Sequence, residues 1–586
     1  MKKIMNRAED MVPEMCNGIV LAHPELAFVR KYKVIKKNVI NKNKVSLLSG
    51  GGSGHEPAHA GFVGKGMLDG AVCGDIFASP SQIQIYQGIK ETASDKGTLL
   101  IIKNYSGDVM NFKNAMHLAT EDGIDIDYVL VDDDIAVEDS LYTVGRRGVA
   151  GTIFIHKIAG AAAEQGKSLA EVKIIAEKVA KNVRSIGFAL SSCTVPAAGK
   201  PTFSLNENEI EYGVGIHGEP GIQKAPMSTS QELSKRMVEG LLKDMSIECD
   251  SDQEITVLVN GFGGTPLQEL YLFNNDVIQQ LQERGIKVRG VFVGNYMTSL
   301  DMEGASLSFL KLDEEISELL FDPCDTPGFK LSSKPKITNF EKPLIENRVK
   351  EVSFTVETNK QWSAINKNSF TLQNMIYIVD KMAEIIIKKE VEFCELDTHA
   401  GDGDFGMSIS KGFRQLKHEW EELSNQEHQT IGKFLEACSL IIMEYCGGAS
   451  GPIWGSAFRN AGKSVGNKLE MTVNDFAEMM QAAVTGIQAT GERSFGRGAV
   501  VGDKTLIDAL VPCVNTWKEE AEKGTDFTTI FKMAAASAVQ GAESTKKIVA
   551  RMGRAGTVGE RSLGYPDAGA YGLGVIFTEL AQSLEH

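Results

Sequence analysis

Three aspartates lie within eight residues of this chain, at positions 397, 402 and 404 of the run Asp-Thr-His-Ala-Gly-Asp-Gly-Asp. Carboxylates this close repel one another unless a cation lies between them. Ligands that are all oxygen favour Mg²⁺ or Ca²⁺ over zinc. An EF-hand is excluded, because the twelfth residue counted from either possible first ligand is Ser408 or Phe413 and not glutamate. The pattern therefore predicts a Mg²⁺ site that the phosphates of a nucleotide complete.

The residues around these aspartates suit a bend followed by a helix. Glycines at 401, 403 and 406 interrupt the acidic run, and helical sequence begins at about Ser408. Asp and Gly also form ordinary turns with no ligand, and this alternative stays open for the short motif by itself. A helix that begins beside the metal would offer free N–H groups to phosphate oxygens.

A second group of reactive residues lies in the first half of the chain. Ser49-Gly-Gly-Gly-Ser-Gly-His-Glu-Pro follows a predicted strand, and its glycines let backbone N–H groups approach a ligand. No Gly-Lys-Ser or Gly-Lys-Thr closes the run, which excludes a Walker P-loop. His55 and Asp108 both follow the carboxyl ends of predicted strands, where open α/β sheets bind their ligands. His55 could also be an ordinary loop histidine.

A third candidate is His217, in the run Gly213-Val-Gly-Ile-His-Gly-Glu-Pro-Gly. The run matches the dinucleotide fingerprint G-x-G-x-x-G only superficially, because Pro220 and Gly221 fall where the helix should continue. A histidine between glycines on a loop can act as a base, a ligand or a nucleophile.

Bulk properties narrow the possible functions. The chain has 586 residues, enough for two to four domains, and a formal charge of −16, which disfavours nucleic acids and anionic membranes as partners. Its nine cysteines form no Cys-x-x-Cys pair, and no apolar run approaches the ~20 residues of a membrane span. We expect a cytoplasmic protein that acts on small molecules, with no nucleic acid and no membrane as a partner.

The sequence divides into four stretches. Residues 1–190 and 191–330 alternate β-rich runs with helical segments, which predicts two α/β subdomains, the first around a largely parallel sheet. Residues 331–361 have no sustained period and predict a linker. Residues 362–586 predict an all-helical domain that carries the aspartates, with amphipathic stretches at 372–390, 429–445, 473–489, 504–521 and 569–584.

Several motifs in order resemble dihydroxyacetone (glycerone) kinase. Its K-type portion is similar to Gly50–Pro57, Asp75-Ile-Phe-Ala-Ser-Pro-Ser, Gly145-Arg-Arg-Gly-Val-Ala-Gly-Thr and Gly215-Ile-His-Gly-Glu-Pro-Gly. Its L-type portion is similar to Asp397-x4-Asp-x-Asp, Gly447-Gly-Ala-Ser-Gly-Pro, Gly502-Asp-Lys-Thr, Gly553-Arg-Ala and Gly559-Glu-Arg-Ser. The resemblance covers nearly the whole chain, and the fusion of both portions resembles the single-chain ATP-dependent kinases.

For the K-type portion, the resemblance implies a ketose site. His217 would hold the ketone carbonyl as a covalent hemiaminal, while His55 and Asp108 would move protons on the carbonyl oxygen and on the terminal hydroxyl that attacks the γ-phosphate. Gly52, Ser53, Gly54 and Lys103 would line the same pocket with them.

For the L-type portion, the resemblance implies a ring of antiparallel helices, a helical barrel, that binds ATP at one end. Asp397, Asp402 and Asp404 would bind Mg²⁺. The other nucleotide contacts would be Phe405, Gly406, Met407, Ser408, Ala449, Ser450, Gly498, Leu506, Arg554, Asp567, Ala568 and Gly569.

The resemblance leaves the substrate open. The first expectation is ATP-dependent phosphorylation of dihydroxyacetone, and the alternative is a four-carbon ketose such as D- or L-erythrulose. Cyclisation of FAD and a non-catalytic ketose sensor are further alternatives. The resemblance also implies a homodimer.

Overall fold

In the computed structural model, the described residues are 2–137, 145–343, 358–366, 368–425, 429–552, 556 and 559–584. The chain divides into two compact units, residues 1–343 and 344–586. The first unit holds two sheets with helices against them, and the second is almost entirely helical. The predicted fold class, α/β followed by all-α, is confirmed.

The first sheet has six strands in the order β1-β2-β4-β3-β5-β6. Their bounds are β1 Leu26–Val29, β2 Val34–Lys37, β3 Ser46–Ser53, β4 Gly70–Ile76, β5 Thr98–Lys103 and β6 Ile126–Val131. β4, β3, β5 and β6 pair in parallel, whereas β1 and β2 add an antiparallel edge. The prediction of a largely parallel sheet is therefore confirmed here. Its central strands β3 and β5 are buried along their whole length, as parallel strands between helical layers are.

The second sheet has seven strands in the order β15-β11-β10-β12-β7-β8-β9. They are β7 Val183–Ala189, β8 Glu209–Tyr212, β9 Gln223–Pro226, β10 Glu254–Gly261, β11 Lys287–Gly294, β12 Gly304–Lys311 and β15 Ile337–Thr338; β13 Cys324–Asp325 pairs separately with β14 Lys330–Leu331. Among the described strands of this sheet, only the neighbours β10 and β11 pair in parallel, and the helix between them, Leu267–Glu283, forms the crossover. The second stretch is α/β as predicted, but its sheet is mixed, since the eight-residue strand β12 lies at the centre and pairs antiparallel with β10 and β7.

The described residues of the first unit form eight α-helices. They are α1 Met11–Ala22, α2 Gln82–Thr92, α3 Ser106–Glu121, α4 Thr152–Glu164, α5 Leu169–Asn182, α6 Ser230–Asp244, α7 Leu267–Glu283 and α8 Glu314–Phe321. The predicted division at 190/191 remains a prediction about domains, although β7, which ends at Ala189, already belongs to the second sheet. Likewise β15 lies inside the stretch predicted as a linker and pairs with β11.

The second unit contains α9 Leu372–Lys388, α10 Glu390–Asp397, α11 Phe405–His418, α12 Trp420–Ser424, α13 Ile431–Tyr445, α14 Ser450–Val465, α15 Val473–Phe495, α16 Ile507–Glu522, α17 Phe527–Ser544 and α18 Ala568–Ser583. A short strand pair, β16 Phe370–Thr371 and β17 Glu470–Met471, joins the starts of α9 and α15. Among the described residues, α9, α11 and α13 to α18 pack in sequence into a closed ring, in which α18 returns to α9. The ring encloses an apolar core, which is what amphipathic helices bury when they close on themselves.

Candidate active site

Two histidines from different sheets meet in the first unit. His55 follows β3 of the first sheet, and His217 lies on the loop after β8 of the second sheet. The Nε2 atoms of the two rings are 3.2 Å apart. The expected convergence of His55 and His217 is therefore present in the structure, across 162 positions of sequence.

The hydrogen bonds of His55 identify its protonated nitrogen. Nδ1 of His55 lies 2.9 Å from the backbone carbonyl of Thr298. Because a carbonyl only accepts, Nδ1 carries the proton, and Nε2 presents a lone pair to His217. The Nε2–H group of His217 therefore donates to His55. Nδ1–H donation of this kind is how a second residue fixes the tautomer of a catalytic histidine.

Burial keeps both rings neutral. Desolvation, aided by the positive charge of Lys103, lowers the pKa of His55 to about 3. Desolvation also holds the pKa of His217 well below its ordinary value, and His55, Lys103 and Arg147 act in the same direction. A neutral imidazole retains the lone pair that a nucleophile or a base needs.

His217 faces an open pocket, whereas His55 is fully buried beside it. The ring of Tyr105 meets the His217 ring edge-on with 4.4 Å between centroids, and Phe77 does the same at 5.5 Å. These contacts leave the imidazole little freedom to turn. Gly52, Phe77, Tyr105, Asp108, Thr202 and Pro220 are among the residues that line the pocket.

Asp108 and Lys103 form a buried pair in the same place. Asp108 lies in the first turn of α3 and Lys103 ends β5, so both follow the carboxyl end of a parallel strand. Their charged atoms are 3.8 Å apart, and the Lys103 ammonium has no hydrogen-bond partner among the residues that the structure describes. Desolvation raises the pKa of Asp108 and lowers that of Lys103, although each charge partly offsets the effect on the other. An ammonium left without a hydrogen bond suits an oxygen of a bound ligand.

The glycine-rich segment gives this pair its space. A Cβ atom on Gly51 would lie 3.1 Å from Nζ of Lys103, and one on Gly52 would lie 2.7 Å from the backbone of Ala78. The hydroxyl of Ser53 donates to the carbonyl of Gly74, and the N–H of Gly54 donates to the carboxylate of Glu56. Gly52 therefore lines the pocket, while the polar groups of Ser53 and Gly54 serve the loop itself.

The three aspartates of the second unit lie together as the sequence predicts. One carboxylate oxygen from each of Asp397, Asp402 and Asp404 lies within 4.8 Å of the others. Oδ2 of Asp397 accepts the N–H groups of Gly403 and Phe405, which folds the loop back on the end of α10. Desolvation raises the pKa of Asp397, and the charges of the other two aspartates raise it further. This donor set, all oxygen and mutually repelling, fits a hard divalent cation.

Several predicted nucleotide contacts surround this cluster. Phe405, Gly406, Met407 and Ser408 form the first turn of α11, which begins at Phe405 and not at Ser408. Gly447 donates its N–H to the carbonyl of Ser408, which brings Ala449 and Ser450, at the start of α14, to this turn.

The start of α18 lies near the same cluster. Asp567 caps this helix through the N–H of Ala570, Ala568 begins it, and a Cβ atom on Gly569 would lie 3.1 Å from Cβ of Leu506. Desolvation raises the pKa of Asp567 to about 7, with Asp508 and Asp397 adding to the shift.

Gly498 lies beside Gln488 of α15. Arg554 lies outside the described residues.

Two further observations could not be obtained from the motifs alone. Lys504, in the Gly502-Asp-Lys-Thr motif, is buried and donates to the carbonyls of Thr545, Ser562 and Tyr565, so its ammonium holds the loop together. Arg147 and Glu219 lie directly behind His217, and only the proximity of Glu219 to His217 in sequence signals this.

The comparisons agree with this arrangement. The Dak1 domain family matches residues 17–328, and the DAK2 domain family matches residues 399–582. These two matches show that the chain contains both the K-type and the L-type portion of a kinase. The chain belongs to the dihydroxyacetone kinase family, and the ATP-dependent kinase class predicted from the sequence is confirmed.

Three relatives illustrate the range of similarity. The dihydroxyacetone-binding subunit DhaK of a PTS-dependent kinase from Listeria innocua is 51% identical over 56% of this chain and 99% of its own length. The L-erythrulose kinase of Pectobacterium atrosepticum is 33% identical and covers all of this chain and 97% of its own. A crystal structure of the dihydroxyacetone kinase of C. freundii with AMP-PNP and Mg²⁺ has 30% identity and a TM-score of 0.61 over 99% of both chains.

Proposed function

We propose that this protein transfers the γ-phosphoryl group of ATP to the terminal hydroxyl of a short-chain ketose, with dihydroxyacetone as the first candidate. The observation that carries the proposal is the neutral, pocket-facing His217 hydrogen-bonded to a buried, neutral His55. A ketone carbon is an electrophile that a neutral imidazole can attack. A sugar alcohol such as glycerol has no such carbon, so the covalent step selects ketoses.

The proposed covalent step needs only groups that the pocket contains. Nε2 of His217 forms a bond to the carbonyl carbon and gives its proton to Nε2 of His55. The π electrons of the carbonyl move to oxygen, which takes that proton and becomes a hydroxyl. The product is a neutral hemiaminal, and His55 returns to its starting tautomer. A bond of this kind holds a ligand of about six heavy atoms more firmly than its few non-covalent contacts would.

Asp108 and Lys103 suit the second half of the reaction. A carboxylate with a raised pKa accepts a proton readily, so Asp108 is our candidate for the base that deprotonates the terminal hydroxyl. The unpartnered ammonium of Lys103 would bind a substrate oxygen nearby. Gly52 forms part of the wall of the same pocket.

The aspartate cluster would hold Mg²⁺ with the phosphates of ATP. The relative from C. freundii binds AMP-PNP and Mg²⁺ in its crystal structure. When bound, Mg²⁺ neutralises charge on the phosphates, which is what phosphoryl transfer needs most. Asp397, Asp402 and Asp404 would be its ligands. The N–H groups at the start of α11 would donate to phosphate oxygens.

A four-carbon ketose is the second candidate substrate. A relative named L-erythrulose kinase covers this whole chain, and the pocket is open on one side. The ratio of kcat/KM for dihydroxyacetone and for D- and L-erythrulose, measured through ADP release, decides between them. A larger kcat/KM for an erythrulose would replace dihydroxyacetone as the substrate.

The covalent step has its own test. Dihydroxyacetone labelled with carbon-13 at the carbonyl should give a broad, protein-bound signal of a tetrahedral carbon. His217→Ala should lose this signal and keep the affinity for ATP. An equal signal from the variant would contradict the hemiaminal.

The expected homodimer and cytoplasmic location are also part of the proposal. Resemblance to the family supports the dimer, and light scattering at several protein concentrations measures it. All nine cysteines are free thiols, which suits a reducing compartment. Among the described residues, no helix has the length and apolar character to cross a membrane.

A further inference from the structure

Beside His217 lies a buried group of three charged side chains that the proposed reaction does not use. Arg147, Asp134 and Glu219 are each less than a tenth exposed. Arg147 is the second arginine of the motif Gly145-Arg-Arg-Gly-Val-Ala-Gly-Thr, whereas Glu219 lies two residues after His217. Buried charges are retained where they are paired and hydrogen-bonded, because leaving one unpaired is costly.

Glu219 holds the backbone of the reactive histidine. Its Oε2 atom accepts the N–H of His217 at 2.7 Å, and its Oε1 atom lies 3.3 Å from Nη1 of Arg147. One carboxylate thus accepts from two donors, one on each oxygen. An amide in its place has one acceptor only, so it could satisfy one of the two.

Arg147 holds both ends of the loop that carries His217. Its Nη2 atom donates to the carbonyl of Gly213 at 2.8 Å, four residues before His217, while Nη1 reaches Glu219 on the other side. Nε of Arg147 donates to the carboxylate of Asp134 at 2.8 Å. The N–H of Asp134 in turn donates to the carbonyl of Arg147 at 3.0 Å, which anchors the arginine from behind.

The loop sequence is shaped around this carboxylate. A Cβ atom on Gly215 would lie 1.8 Å from Oε1 of Glu219 and 2.7 Å from Nη1 of Arg147. Any side chain at 215 would therefore displace Glu219 or open the ion pair. The ion pair between Glu219 and Arg147 therefore explains why position 215 needs glycine.

We infer that Arg147 and Glu219 are positioning residues that fix the His217 backbone for attack on the ketone. This inference rests on the proposed hemiaminal. The loop could otherwise shift while His217 kept its ring contacts, and a displacement of about 1 Å at a reacting atom can cost about 10²-fold in rate. Neither residue needs to exchange a proton in this role.

The test compares Glu219→Ala and Arg147→Lys in the full-length protein. Each variant should lower kcat/KM for the ketone by about 10- to 100-fold, and KM for ATP should stay within about twofold. Glu219→Gln should fall between Glu219→Ala and the unchanged protein, because it retains one of two hydrogen bonds. Loss of the overall fold would also alter the ATP kinetics, so unchanged ATP kinetics exclude that explanation.

A double-variant cycle tests whether the two residues act as one unit. Once Glu219 is alanine, Arg147→Lys should lower kcat/KM by a smaller factor than it does alone, because the contact with Glu219 is gone and only the hydrogen bond to the Gly213 carbonyl still links Arg147 to the loop. Losses that multiply would overturn the inference. Gly215→Ala provides an independent variant if Glu219→Ala folds poorly, and it should also lower kcat/KM for the ketone.

Arg146→Gln is the matched control. Arg146 is the neighbouring arginine, and it pairs with Asp244 through two hydrogen bonds of 2.7 and 2.9 Å. It should leave kcat/KM for the ketone within about threefold. Normal kinetics of Glu219→Ala would overturn the inference. If His217→Ala loses the tetrahedral carbon signal in the same series, the proposed function survives that failure.

Discussion

The ketone pocket of the first unit and the aspartate cluster of the second are built in opposite ways. His55 and His217 lie 162 positions apart, are neutral, and are held by neighbours that are already in place. The three aspartates lie within eight residues, are partly exposed, and repel one another. Burial keeps the histidines of the first site neutral, whereas the second site depends on the negative charge of its aspartates. A neutral nucleophile must be protected from protonation, whereas a metal site must keep its charge until a cation arrives.

The largest effect is expected from a substitution that disables the aspartate cluster alone. Asp402→Asn should lower phosphoryl transfer by about 10³-fold or more, because the charge of bound Mg²⁺ contributes several kcal/mol to transition-state stabilisation. The carbon-13 signal of the captured ketone should be unchanged. Glu395→Gln, an acidic residue close in sequence but outside the cluster, should retain full activity in the ADP-release assay. Loss of ketone capture in Asp402→Asn would contradict the separation of the two sites.

The next largest effect is expected from a substitution that impairs the ketone pocket alone. His55→Asn should lower kcat/KM for the ketone by about 10²-fold, the usual contribution of a positioned acid or base. Affinity for an ATP analogue, measured by calorimetry, should not change. His117→Asn replaces an exposed histidine on α3 and serves as the control. An unchanged kcat/KM in His55→Asn would remove His55 from the reaction.

A third prediction uses pH to sharpen the contrast in burial. The folded-state pKa of His156, like that of His55, is lowered to about 3, so below 6.5 the unfolded chain binds protons that the folded chain excludes. The stabilising contribution of each is therefore complete above 6.5 and declines toward 3, by at most about 1.4 kcal/mol per pH unit.

The comparison of His156→Gln with the unchanged protein isolates this effect. Asp134, whose pKa burial raises to about 6, works in the opposite direction, but it does so in both proteins. Urea unfolding of the full chain at pH 7.5, 6.5 and 5.5 gives the slopes. The variant should have the shallower loss of stability on acidification, and equal slopes would contradict the prediction.

The smallest expected effects leave both sites intact. Ser168 and Thr472 close capping boxes at the starts of α5 and α15, one in each unit. Ser168→Ala and Thr472→Ala should each destabilise by about 1 kcal/mol. Thermal unfolding measures the loss, and kcat/KM for both substrates should be unchanged. A change in ketone kinetics with Ser168→Ala would show that the first site depends on helices far from it.

The sequence predicts the long amphipathic helices of the second unit best, because their apolar periods are long and regular. The helices α9, α13, α15, α16 and α18 all lie where the amphipathic stretches place them. The topology of the second sheet was not predictable in this way. Pairing of β12 with both β10 and β7 is a long-range choice that leaves no local signal in the residues.

The two candidate sites also differ in whether neighbouring residues in the sequence reveal them. The aspartate cluster is local, so counting residues is enough to find it. The pairing of His55 with His217 required resemblance to a family, since nothing in either run points to the other. The contacts of Glu219 were not predictable from the sequence, because the donors to its two carboxylate oxygens are Arg147 and the backbone N–H of His217.

The order of strands in the second sheet has a consequence for synthesis on the ribosome. The loop with His217 follows β8, which pairs with β7, and β7 pairs in turn with β12, which ends at Lys311. Translation proceeds at about 5 to 20 residues per second, so the sheet stays incomplete for several seconds after His217 is made. The sheet that supports the His217 loop is therefore complete only after more than half of the chain has been translated, and an unfinished polypeptide carries this histidine without its pocket.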